Sequence, residues 1–180
     1  MMTSLPPSET CLACRGCCVF LTSDSPWIPY FRKEEIQQAV AAGLSQDAFP
    51  SPQGSHIIPV SYGDSVRCPA LEPDTHRCTI YNVRPLDCFI YPFILMWDTP
   101  RSRRSDQKKI FLALHEACPF VFTQTIPLPE ALLMRADELM LTLQTPEMIE
   151  SLRANPGMIM PTQPDTILMT PLDRLTMAWN

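Results

Sequence analysis

The sequence predicts a small α+β protein, loop-rich and metal-centred, with an antiparallel hairpin sheet and C-terminal helices. Three observations predict it. Eight cysteines stand in 180 residues, four of them within eight positions as Cys11-Leu-Ala-Cys14-Arg-Gly-Cys17-Cys18. Twenty prolines against five glycines favour loops, short elements and stiff connections over long helices or a large sheet. Two apolar arms, Tyr91 to Trp97 and Lys109 to Leu114, flank a charged segment in the pattern of a hairpin.

Along the chain, residues 1–10 read as disordered, and residues 11–18 must be a loop if their thiols are to converge. Phe31 to Gly43 reads as a short helix with Ile36, Ala39 and Val40 on one face and Gly43 as its stop. His56 to Tyr62 and Cys78 to Tyr81 are strand-like, with Pro59 marking the first as an edge. After the hairpin, Pro129 to Gln144 spaces Leu132, Leu133, Ala136, Leu139, Met140 and Leu143 as a helix does. Thr145-Pro-Glu opens a second helix that Asn155-Pro-Gly157 ends, and Thr170 to Asp173 starts a last short one. Seven of the ten methionines follow residue 130 and read as filler of a helical core. The expected division is a cysteine-cluster domain over 8–120 and a helical extension over 121–180 packed on it.

Composition excludes some classes of function. With a net charge of −5, the chain has no global attraction for nucleic acid. The basic run Arg101, Arg103, Arg104, Lys108 and Lys109 reads as a solvated loop tip. Phe89 to Trp97, the longest apolar stretch, is too short to span a membrane. No signal peptide is visible, so the expected location is cytoplasmic, where thiols stay reduced and metal binding is favoured over disulfides.

The chemistry lies in the cysteines. Several convergent thiolates hold zinc or an iron–sulfur cluster, and a Cys-x-x-Cys turn points both sulfurs into one concavity. Adjacent Cys17 and Cys18 are expected to diverge, so that two centres share the loop or one of the pair is structural or redox-active. The other cysteines are Cys68, Cys78, Cys88 and Cys118, the first three with nine residues between neighbours. Eight thiols suit two four-cysteine zinc sites, or one four-cysteine cluster with thiols to spare. Proline after Cys68 and after Cys118 stiffens both loops. His76 and His115 stand near Cys78 and Cys118 and are alternative zinc ligands, though an ordinary surface or core histidine is the first reading of each. Arg84 is set equally to hydrogen-bond thiolates or to tie down backbone carbonyls, while Tyr81 reads as a packed aromatic. Asp87, His115 and Glu116 are acid–base candidates that nothing singles out, so catalytic residues stay unassigned.

The opening Cys11-x-x-Cys14-x-x-Cys17-Cys18, followed by Cys68-Pro-Ala-Leu, Cys78-Thr-Ile-Tyr-Asn-Val-Arg84-Pro85-Leu-Asp-Cys88 and Tyr91-Pro92, resembles the YkgJ-type cysteine cluster family. That resemblance covers about residues 8 to 120 and implies zinc or iron chelation. It implies one metal-binding region containing Cys11, Cys14, Cys17, Cys18, Cys68, Cys78 and Cys88, with Cys118 a further member. Family members often carry arginine where this chain has Phe89, and the last 60 residues have no counterpart in the resemblance. The family includes flagellin lysine N-methylases, which raises a metal-assisted, S-adenosylmethionine-dependent enzyme as one alternative. Glycines only at 16, 43, 54, 63 and 157 give that alternative no cofactor loop. The preferred expectation is an iron–sulfur protein of the 4Fe–4S type in a redox or cluster-handling role, and the other alternative is a zinc-stabilised module docking an unknown protein partner.

Overall fold

The computed structural model describes residues 14–98, 109–122 and 130–179. Cys11, the basic residues from Arg101 to Lys108, Pro129 and residues 1–10 lie outside them. The architecture is mixed α+β. It divides into two compact units, one ending at Phe89 and the other running from Ile90. That division falls inside the stretch 8–120 that the sequence groups together.

In the first unit the elements are short. They are β1 (Val19–Phe20), β2 (Tyr30–Arg32), α1 (Lys33–Ala41), β3 (Gly54–His56), β4 (Val60–Tyr62), β5 (Ser65–Arg67) and α2 (Leu86–Ile90), the last ending across the division. β1, β5 and β4 form one antiparallel sheet in that order, and β2 pairs with β3 in a second. The predicted helix is present as α1, and Gly43 ends it with φ +109°, a conformation that side-chain-bearing residues rarely adopt. The core joins Phe20, Ile28, Phe31, Ile36, Phe49, Ile57 and Ile80 to the thiol of Cys68. Phe31 and Phe49 meet edge to face at 5.1 Å.

The strand expected over Cys78 to Tyr81 is absent from the described fold. Cys78 makes an isolated bridge with Leu71, and Tyr81–Val83 is a turn of 3₁₀ helix. The β-branched residues Thr79 and Ile80 suggest a strand, but the Thr79 N–H is spent on the Ala70 carbonyl at 2.8 Å, which closes a tight loop.

In the second unit the predicted hairpin is β6 (Phe93–Asp98) against β7 (Lys109–His115), antiparallel from Phe93↔Leu114 to Asp98↔Lys109. Helices follow at α3 (Pro119–Phe122), α4 (Glu130–Leu143) and α5 (Pro146–Ala154), the last capped by Thr145 through its hydroxyl. Residues after 121 are not purely helical, which corrects the expected extension. β8 (Met160–Pro161) joins β6 in parallel and β9 (Thr166–Pro171) joins β7 antiparallel, giving the order β8-β6-β7-β9. α6 (Asp173–Trp179) then packs on β7, where Thr176 accepts the Ile110 N–H at 3.0 Å. The core here is largely apolar: Phe93, Leu95, Met96, Leu112, Leu132, Leu139 and Leu175 are at most 1% exposed, while His115, Arg135, Asn155 and Thr176 are the buried polar side chains among the described residues. Among the described residues no helix is long and apolar enough to cross a membrane.

Candidate metal centre

The pairing of the short strands gathers the thiols. Cys18 precedes β1 and Cys68 follows β5, and the antiparallel register Val19↔Arg67 makes them neighbours, with the Cys68 N–H donating to the Cys18 carbonyl at 2.8 Å. Ahead of β1 the chain folds tightly, since the N–H groups of Cys18 and Val19 both donate to the Arg15 carbonyl, at 2.8 and 3.1 Å. Arg15 takes φ 58° to make that turn. Gly16 donates its N–H to Cys14 Sγ at 3.3 Å, and a methyl at position 16 would lie 3.1 Å from that sulfur.

Cys78 returns to Cys68 through a compact loop. The Leu71 N–H donates to the Cys68 carbonyl at 3.0 Å, and the Glu72 N–H to that of Arg77 at 2.8 Å. His76, at φ 56°, turns the tip. Its Nε2 sits 3.2 Å from an Arg15 guanidinium nitrogen, which also donates to Tyr62 Oη at 3.3 Å. A guanidinium has only donors, so this histidine nitrogen accepts and its lone pair is engaged. The His76 option for zinc is therefore not favoured; the side chain ties the Cys14–Cys18 loop to the Cys68–Cys78 loop.

Cys88 rides on α2, which two buried carboxylates fix. Glu35, 6% exposed, accepts the Leu86 N–H at 2.8 Å and the Arg32 N–H at 2.8 Å, and pairs with the Arg32 guanidinium. Asp87 accepts the Tyr30 N–H at 2.9 Å. Sequence reasoning missed Glu35, because its partner lies 51 positions away; its only local sign is the Arg32–Glu35 spacing at the start of α1. Burial pushes the Asp87 carboxyl up to about 6, partly offset by the Tyr30 N–H and by His56.

Cys17 and Cys18 do not diverge as expected; their sulfurs lie 3.9 Å apart. Two thiolates on one tetrahedral ion with bonds of about 2.3 Å stand about 3.8 Å apart, so this pair has the spacing of one edge of such a site. In the bare pair the hydrogen bond between the two sulfurs lowers the Cys17 thiol and raises that of Cys18. Burial pushes Cys68 up to about 12 and raises Cys78 and Cys88. Repulsion adds to this, because Cys17, Cys68 and Cys78 each disfavour a thiolate at Cys88, and Cys68 and Cys88 disfavour one at Cys18. These five sulfurs thus lie within electrostatic reach of one another, in a setting that resists ionisation at Cys18, Cys68, Cys78 and Cys88 and favours it at Cys17 alone. A soft cation removes that penalty, because it replaces the protons and neutralises the repulsion.

The donor set therefore fits zinc or iron in type and number. Among the described residues no three metal-binding side chains are drawn together as a finished cage, so the remaining thiols would close on an ion from the spacing seen here. Arg67 and Arg84 already place positive charge at Cys68 and Cys78. Arg84 also donates to the Tyr81 carbonyl at 2.9 Å and lies over the rings of Tyr81 and Phe89, at 4.1 and 5.2 Å. Of the two roles foreseen for it, the carbonyl bond is seen, and toward the thiols Arg84 acts through its charge on Cys78. Tyr81, 40% exposed, is the platform for that cation and not a core aromatic, and Phe89 supports the arginine from the position where the resemblance expects another arginine.

A family model described as a zinc- or iron-chelating domain, CxxCxxCC, matches residues 10–119. The chain belongs to the CxxCxxCC family. The match takes in every cysteine from Cys11 to Cys118 and supports cysteine-ligated metal binding. No curated protein and no solved structure matches the chain. Of the family's cysteines here, Cys14, Cys17, Cys18, Cys68, Cys78 and Cys88 fall in the first unit, and Cys118 is buried in the second. All seven described cysteines are free thiols. His115, the other alternative ligand, has both ring nitrogens engaged within the second unit, by Tyr91 and Asp165.

Proposed function

We propose that the first unit chelates a metal ion tetrahedrally through Cys17 and Cys18 together with two of Cys68, Cys78 and Cys88, and that the ion is mainly structural. The observation that carries this reading is the 3.9 Å spacing of the vicinal sulfurs, which suits two thiolates on one ion. Zinc fits best, since it takes four thiolates without redox chemistry and its binding energy can order a unit of two- and three-residue strands. When bound, the ion supplies charge neutralisation and a crosslink; the protein's part is to present the sulfurs through the β1–β5 register and to anchor α2 through Glu35 and Asp87.

A second reading is an iron–sulfur centre in a redox or cluster-handling role. The surplus of thiols beyond four favours it. In that case two sulfurs on one ion favour a two-iron cluster over the 4Fe–4S type, in which each iron takes one cysteine. Metal and acid-labile sulfide analysis on protein purified without oxygen separates these readings. Colourless protein with stoichiometric zinc is expected, two irons with two sulfides would support the second reading, and four irons with four sulfides would overturn the shared-ion assignment.

A further inference from the structure

A second chemical constellation lies in the other unit and uses none of the thiols. His115 ends β7 and is 7% exposed. Its Nε2 is 3.0 Å from Asp165 Oδ2, and its Nδ1 is 3.0 Å from Tyr91 Oη. The rings of Tyr91 and His115 meet edge to face at 5.7 Å. Backbone bonds tie the segments that carry them: the His115 N–H donates to the carbonyl of Pro92, next to Tyr91, at 2.9 Å, and the Glu116 N–H to that of Asp165 at 3.0 Å. A carboxylate only accepts, so the neutral imidazole carries its proton on Nε2 and gives it to Asp165. Nδ1 is then the acceptor, and the Tyr91 hydroxyl donates to it. This is the order nucleophile, base, orienting carboxylate, which activates a hydroxyl group.

We propose that Tyr91 is a base-assisted nucleophile and that the second unit carries a group-transfer site for a hard electrophile, an activated acyl or phosphoryl ester. In the step, the Tyr91 oxygen forms a bond to the electrophilic centre and the leaving group departs with its bonding electrons. The phenol proton passes to His115 Nδ1, where Asp165 stabilises the imidazolium, and is then released to the leaving group. Asp165 acts through His115 as a positioning residue. Its side chain is 41% exposed, so it can be changed without opening the core.

An aryl sulfonyl fluoride tests this on the full chain, because a phenol attacks its sulfur, fluoride leaves, and the tyrosyl sulfonate is stable enough to map by mass spectrometry. Tyr81 is the internal comparator, being more exposed than Tyr91. Tyr91 is expected to label about tenfold faster than Tyr81, and Asp165→Asn to slow Tyr91 by about tenfold with Tyr81 unchanged, less than the roughly hundredfold or more of a general base itself because Asp165 acts only through His115. Asparagine still accepts from Nε2–H, so a purely structural role would survive that change. His115→Gln, checked for folding by circular dichroism, should abolish the difference between the two tyrosines. Labelling of Tyr91 no faster than Tyr81, or equal labelling in wild type and Asp165→Asn, would overturn the proposal.

Discussion

The two units hold themselves together by different means. In the second, β6 and β7 run six and seven residues and bury side chains in near-continuous runs, which are apolar apart from His115 at the end of β7. The strands of the first unit run two or three residues, and its core is shared between aromatic and aliphatic side chains and the thiols of Cys18, Cys68 and Cys78. Apolar burial needs no partner. Buried thiols that resist ionisation collectively become an asset when a cation replaces their protons. The contrast sets a core lined with thiols that a cation can crosslink against a hydrocarbon core that is stable through burial alone.

Chelation should break the comparison most sharply. Structural zinc in small domains contributes on the order of 10 kcal/mol, so a strong chelator with reductant should abolish amide protection in β2, α1 and β5 while β6 and β7 keep theirs. Native-state hydrogen exchange read by peptide mass spectrometry checks this, and equal loss in both units would erase the distinction. Next in size are the ligand variants. Cys17→Ser or Cys18→Ser should lower metal affinity by at least about a hundredfold and unfold the first unit together with metal loss; full metal content in both would contradict the shared site. From the other side, Leu112→Ala, at a fully buried position, should cost about 2–5 kcal/mol in the second unit and leave metal content unchanged.

The smallest effect concerns Asp87. Its folded pKa of about 6 lies above the ordinary 3.8 because burial disfavours the charge. A carboxyl raised on folding stabilises the protein most below the unfolded pKa, and that contribution is lost as pH rises through the folded one. Stability should therefore fall between about pH 4 and pH 6 by up to about 3 kcal/mol, at about 1.4 kcal/mol per pKa unit. Asp87→Asn should flatten that slope relative to wild type in denaturant titrations across this range.

Much of this is legible in the chain. The cysteine spacing marks the region, α1 stops where Gly43 predicts, α5 begins and ends at the predicted Thr145 and Asn155, and the hairpin is legible because both arms are continuous apolar runs. Other features depend on partners far away in sequence. Thr79 and Ile80 have strand-like side chains, yet the Thr79 N–H serves the loop that returns Cys78 to Cys68. Glu35 looks like any surface acid until Leu86 is placed beside it. The Met160 and Thr166–Pro171 strands join the sheet only because β6 and β7 offer edges to them. The vicinal cysteines were the least legible of all, since the turn at Arg15 sets their spacing and adjacency alone implies divergence.

The most direct test of the metal assignment is the alkylation rate of individual cysteines, mapped by mass spectrometry in the metal-loaded protein and after chelation. Cys17 and Cys18 should be protected while metal is bound, together with two of Cys68, Cys78 and Cys88, and become reactive when it is removed. Equal reactivity of Cys17 and Cys18 in both states would contradict the assignment.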